Sequence, residues 1–189
     1  MSLNYIIFDL EYTDSHWHYK HKNEIIEIGA VKLNLDSIEN VSYFQNFVKP
    51  NIKISKKIQS ITGITNEMVD SKAYFAKQID RFQRWIGNEK FIFVSWGMSD
   101  YKILMDNCMK HNVSDDWIKE FIDVQAVFTK VNNLDNPISL PNALKLYNIN
   151  TPHEHHRALK DAFNTMLILL KLSEGIDVYK YRNTLCSLQ

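Results

Sequence analysis

Apolar positions fall along this chain in two rhythms, one of period two and one of helical period. Tyr5 to Leu10 (YIIFDL) is apolar on both alternating faces, the pattern of a central strand covered on both sides. Glu24 to Leu35 (EIIEIGAVKLNL) reads as a second strand and Val41 to Val48 as a third, closed by Pro50. The polar stretch Asn34 to Asn40 between them predicts a hairpin. Ile58 to Val69 reads as short helical pieces broken at Gly63, with Thr65 or Asn66 as N-cap. Phe75, Ile79, Phe82 and Ile86 recur at helical spacing, so Ala73 to Ile86 is an amphipathic helix. Phe91 to Ser95 is a short buried strand. Tyr101, Leu104, Met105 and Cys108 mark the next helix, capped by Ser99. Phe121 and Ile122 give a last strand. Helices follow over Val124–Val131, Ser139–Tyr147 and Arg157–Leu172, the longest, while Val178 to Leu188 fits no single element. Strands first, then strand and helix alternating, predict an α/β fold: a mixed sheet flanked by helices, with an antiparallel hairpin edge.

Length adds that 189 residues make one domain, with a core about 4–172 and a C-terminal extension 173–189. Lys+Arg and Asp+Glu are both 22, which excludes a strongly basic, non-specific nucleic-acid coat. It leaves room for a nucleic-acid enzyme whose acidic site is neutralised by metal. The 5 glycines form neither a G-x-G-x-x-G nor a Walker loop, which disfavours a nucleotide-cofactor enzyme. Cys108 and Cys186 are far apart and read as ordinary thiols. Asp9 and Glu11 interrupt the first apolar run, so no signal peptide is expected. Runs such as Met166–Leu170 are too short to span a bilayer. The expectation is a cytoplasmic protein with no membrane partner.

The candidate chemistry begins at Asp9 and Glu11. On a strand, residues i and i+2 share a face about 6.5–7 Å apart, and two carboxylates there repel unless a cation lies between them. Hard divalent ions take such oxygen ligands. Both acids end a buried strand, where open α/β sheets place their sites. Asp100 follows the Phe91–Ser95 strand in the first turn of a helix, where the helix dipole alone would explain an acid. His156 and Asp161 are spaced H-x4-D. With 7 His and 22 acids in the chain, chance gives roughly one such pair. Five helical residues turn about 140°, so His156 belongs on the loop and Asp161 in the helix. On that helix Arg157, Lys160, Asn164 and Lys171 form the solvent stripe, with Asp161 at its border. Ala158 and Ala162 permit a close approach of the helix to something else.

Taken in order, D-x-E, a later Asp, and H-x-A-x-x-D-A resemble the DEDD (DnaQ-like) superfamily of 3′–5′ exonucleases, in the branch whose last motif carries a histidine. The matching stretches are FDLEYT (Phe8–Thr13), EIIEIGAV (Glu24–Val31), SITGIT (Ser60–Thr65), SWGMSD (Ser95–Asp100) and HRALKDA (His156–Ala162). FVKP (Phe47–Pro50), the WG before Asp100 and NALKLYNI (Asn142–Ile149) are most similar to KapD- and Eri-type members. The resemblance implies a ribonuclease H-like fold and two Mg²⁺ or Mn²⁺ ions. It implies that Asp9 touches both ions, Glu11 and Asp161 complete the first site, and Asp100 holds the second. It makes His156 the general base, a role that suits a neutral imidazole. Leu10 and Tyr12 are implied to pack against the terminal nucleotide. The implied substrate is the 3′ end of single-stranded nucleic acid, RNA favoured over DNA, cut to nucleoside 5′-monophosphates by a monomer. DNA trimming or proofreading is the nearest alternative, and a KapD-like regulatory binding protein without catalysis is another.

Other candidates have blander readings. His155 is out of register with Asp161. His16, His18 and His21 read as a polar loop rather than a zinc site, and Trp17, Tyr12 and Tyr19 near it read equally as stacking partners for bases or as an ordinary aromatic cluster. Lys53, Lys56 and Lys57 read as a solvated face.

Overall fold

The computed structural model describes residues 3–14, 23–151 and 157–184. Among them six strands pair: β1 (Asn4–Tyr12), β2 (Ile25–Asn34), β3 (Ser37–Phe47), β4 (Phe91–Ser95), β5 (Glu120–Asp123) and β6 (Asn183–Thr184). Their order across the sheet is β3-β2-β1-β4-β5-β6. The β1–β2 and β2–β3 pairs are antiparallel, β1–β4 and β4–β5 parallel, and β5–β6 antiparallel. The helices are α1 (Lys56–Thr62), α2 (Asn66–Asp70), α3 (Phe75–Ile86), α4 (Ser99–Lys110), α5 (Val124–Val131), α6 (Leu140–Leu146) and α7 (Ala158–Ser173). This is the expected mixed sheet flanked by helices.

Alternation along β1 divides the core. Tyr5 and Ile7 face one way, with Val31 and Val94, against residues of α5, α6 and α7. Ile6, Phe8 and Leu10 face the other way, with Ile28 and Phe93, against α3 and α4. A smaller cluster of Ile26, Ile54, Ile64 and Val69 holds α1 and α2 against β2. Gly63 ends α1 at φ 70, and the Thr65 side chain caps α2.

Three local expectations are corrected. Asn34 pairs with Ser37, so β3 starts at Ser37 rather than Val41 and the hairpin loop is Leu35–Asp36. An edge strand is held by its backbone ladder, and its polar side chains can stay in water. Ser99 caps nothing; it is the first residue of α4, and the cap position is Met98 in helical conformation. Gly97 turns the chain at φ 86 and Met98 is then already helical, so the helix is entered before Ser99. Asn164 is not on a solvent stripe: its exposure is 0%. α7 packs on β1 and β2 and also meets α5 and α6, so its buried arc is wider than one amphipathic face.

The segment after α7 is part of the same sheet. A 3₁₀ turn (Val178–Tyr181) buries Val178 against the α7 core, and β6 pairs with β5. No helix among the described residues is long and apolar enough to cross a membrane. Cys108 is buried, and burial pushes its thiol up to about 12.

Candidate active site

The alternation that sends Tyr5 and Ile7 toward α7 sends Asp9 and Glu11 the same way. Their cross-strand partners on β2 are Gly29 and Glu27, on the same face. Gly29 is where α7 lands. A Cβ added there would stand 2.0 Å from the Leu159 amide nitrogen and 2.2 Å from the Ala158 carbonyl carbon. The helix start therefore lies against bare backbone, and Asp161 follows within its first turn. One oxygen each from Asp9, Glu11 and Asp161 lies within 4.8 Å of the others.

Glu27 fixes that docking. Its side chain is fully buried and accepts the Ala158 N–H at 3.1 Å. It also accepts Arg157 Nε at 3.1 Å and Nη2 at 2.8 Å, and Gln45 Nε2 at 2.7 Å. Arg157, the N-cap of α7, makes no side-chain cap bond, so a carboxylate from the neighbouring strand caps the helix instead. Beyond Glu11 the ladder slips: Glu11 pairs with Glu27, but Tyr12 pairs with Ile25. Such a bulge re-aims the side chains on either side of it.

Asp100 approaches from α4. It is 8% exposed, and its Oδ1 accepts the Leu10 N–H at 3.3 Å. The charges crowd one another. Asp9 is held well above the usual carboxylate range, first by burial, then by Asp100, Asp161, Glu11 and Glu27. Burial, then Glu27, Asp161 and Asp100, push Glu11 up to about 8, with Arg157 pulling the other way. Asp100 rises to about 7, chiefly by burial, opposed by the Leu10 N–H and helped by Asp161. Carboxylates this close cannot all ionise without a counter-charge. An all-oxygen donor set fits a hard divalent cation.

The sequence pattern of the RNase_T exonuclease family matches residues 6–169. The chain belongs to this exonuclease family. It is a member of the DEDD 3′–5′ exonuclease superfamily. Among similar proteins, the DNA polymerase III PolC-type of Thermotoga maritima is 33% identical over 153 residues, 80% of this chain. The chain spans only 11% of that polymerase. The probable 3′-5′ exonuclease KapD of Bacillus subtilis is 29% identical over 174 residues, covering 89% of this chain and 83% of KapD. The solved nuclease domain of 3'hExo, a DEDDh family member bound to rAMP, superposes with a TM-score of 0.81 at 24% identity. That match covers 93% of this chain and 94% of the other. Cell-death related nuclease 4 gives 0.80 at 22% identity, over 91% of this chain and 64% of that one. The fold of these nucleases is thus shared over more than nine-tenths of the chain.

Of the residues singled out from sequence, this exonuclease brings Asp9, Glu11 and Asp161 together, with Asp100 beside them. Leu10 is 4% exposed and sits in the core facing α3 and α4. Tyr12 is partly buried, and its hydroxyl is pushed upward by burial and by Asp100, Asp9 and Glu11. His156 lies outside the described residues. So do His153, His155, His16, His18, His21, Trp17 and Tyr19. Two determinants escaped the sequence reading: Gly29 and Glu27. The available signal was a charged residue inside EIIEIGAV, a strand otherwise buried on both faces.

Proposed function

We propose that this exonuclease removes nucleotides from 3′ ends of single-stranded nucleic acid, RNA in preference to DNA, releasing nucleoside 5′-monophosphates. The convergence of Asp9, Glu11 and Asp161 within 4.8 Å carries this reading. Asp9, Glu11 and Asp161, with Asp100, would hold two Mg²⁺ or Mn²⁺ ions. Such ions supply a nucleophile at neutral pH and stabilise charge on the phosphodiester oxygens.

The chain's own residues do the rest. Tyr12 flanks the terminal nucleotide, while buried Leu10 contributes beside it through its backbone N–H, which keeps Asp100 turned toward the cluster. Glu27 and Gly29 hold α7 so that Asp161 meets Asp9. His156 accepts the proton of the attacking water at a ring nitrogen, a task suited to a neutral imidazole. A cytoplasmic monomer completes the reading, in keeping with two cysteines far apart in the sequence.

The RNA preference rests on the Eri-like stretches FVKP and NALKLYNI. DNA trimming is the second reading, favoured by the identity to PolC-type polymerases. The test is a set of 3′- and 5′-labelled RNA and DNA oligomers with Mg²⁺, Mn²⁺ or EDTA. Immediate release of the 3′ label as a mononucleotide, with 5′-labelled products shortening stepwise and EDTA abolishing both, is expected. Binding without cleavage under either metal would return the chain to the regulatory alternative.

A further inference from the structure

A second feature lies on the β3 edge of the sheet, away from the carboxylates. A groove of about 600 Å³ opens between the end of β3 and α3. Lys72, Lys77, Arg81 and Arg157 line it, and no acidic residue does. Lys72, Lys77 and Arg81 are exposed and form no ion pair among the described residues. The neighbouring acids are already engaged: Asp70 with Lys49, Asp80 with Arg84, and Glu27 with Arg157.

The groove is built rather than incidental. Buried Gln78 donates to the Phe47 carbonyl at 2.6 Å, tying α3 to β3. The same side chain accepts Arg81 Nη1 at 3.2 Å, so that guanidinium is oriented by a neutral amide rather than by an acid. Lys77 lies one turn before it on the same helix face. Arg157 stacks over the Phe47 ring at 5.3 Å and forms the wall nearest the carboxylates. In a chain of net charge +0, this is a local concentration of one sign.

Its position gives it a use. Glu11, Glu27 and Phe47 form one cross-strand row. Strands lie about 4.8 Å apart, so the groove begins about 10 Å from Glu11. A stacked strand rises about 3.4 Å per nucleotide, so a chain ending at Glu11 reaches the groove about three nucleotides upstream. We propose that this groove binds the phosphate backbone of the nucleic-acid strand whose 3′ end lies at Asp9 and Glu11. Cationic grooves that track a backbone are the common device of sequence-neutral single-strand binding. The proposal rests on the exonuclease reading above, and the experiment keeps the two apart.

The double variant Lys77→Ala/Arg81→Ala is compared with wild type and with Lys119→Ala/Lys145→Ala, two exposed lysines elsewhere that change net charge equally. Binding of an oligonucleotide of about twelve nucleotides is followed by fluorescence anisotropy in EDTA at several salt concentrations. Hydrolysis of that oligomer and of a dinucleotide is measured with Mg²⁺ or Mn²⁺. The groove variant is expected to bind the oligomer about tenfold or more weakly. Its salt slope should fall by about 1.4, or 0.7 for each phosphate no longer neutralised. Its kcat/KM on the dinucleotide should match wild type, as should both readouts of the control. Unchanged oligomer binding, equal loss on the dinucleotide, or equal loss in the control overturns the groove. Failure of wild type to cleave either substrate overturns the exonuclease reading alone, because the anisotropy arm still reports on the groove.

Discussion

Gly29 and Leu159 meet backbone to backbone: a methyl group on Gly29 would stand 2.0 Å from the Leu159 amide nitrogen. No side-chain rearrangement can relieve that contact, since the obstacle is the first turn of α7 itself. Gly29→Ala is expected to cost about 3 kcal/mol, the upper end for overpacking. In a chain of this size that lowers Tm by roughly 6–12 °C. Nuclease rate should fall further than stability explains, because Asp161 is carried outward with the helix. A thermal melt beside an initial-rate measurement checks both, and a native-like variant would show that α7 does not depend on this seat.

Glu27→Gln keeps the shape of the cap but removes the charge facing Arg157. Breaking a buried ion pair from one side costs about 3–5 kcal/mol, and partial exposure of Arg157 puts this case nearer 2–3. The expected signature is a lower Tm and a lower kcat with little change in KM, since Asp161 loses its support while the substrate surfaces persist. Adding Arg157→Gln should recover part of the stability by removing the uncompensated charge. A variant with wild-type kcat would reduce Glu27 to a purely structural role.

The acidic cluster should make the metal-free protein less stable as pH rises. Glu11 titrates at about 8 in the fold and Asp100 at about 7, both above the unfolded carboxylate range. Between about pH 4.5 and 8 the folded state thus binds more protons than the unfolded one, and stability falls with pH across that window. Divalent metal binds the folded state and should raise Tm, most at the alkaline end. Asp9→Asn should abolish nuclease activity, raise the metal-free Tm at pH 8 and flatten its pH dependence. Melting curves in EDTA and in Mg²⁺ or Mn²⁺ across this range read all of these. A metal-free Tm that climbs from pH 5 to 8 would contradict the electrostatics described.

His156→Ala should lower kcat by roughly 10²–10⁴-fold with little effect on substrate affinity, the size of a general-base contribution. The acidic limb of the rate profile should flatten, because a protonated imidazole cannot accept a proton. His155→Ala serves as the comparison. An inactive His155→Ala beside a near-normal His156→Ala would shift the assignment by one residue.

Much of this architecture could be read from local pattern. β1 and β4 were plain because both faces of each are apolar, and the Asp9–Glu11 pair followed from alternation alone. What local pattern missed depends on neighbours remote in sequence. Asn164 reads as a solvent residue until α7 is surrounded by β1, β2, α5 and α6. Gly29 reads as an ordinary strand glycine until Leu159 lies on it. Glu27 is one acid in an apolar strand until Arg157 and the Ala158 N–H arrive from 130 and 131 positions away. The meeting of Asp161 with Asp9 was likewise beyond periodicity, since it depends on the docking of α7.

That separation of 131 positions between Glu27 and Ala158 also orders events in time. A ribosome delivers Asp9 and Glu11 early and α7 much later, so a growing chain holds two of the clustered carboxylates without the third. On the RNA-directed reading proposed above, the protein stays harmless to its own messenger until its last long helix docks. Premature termination before Arg157 then leaves an inert fragment rather than an unregulated nuclease.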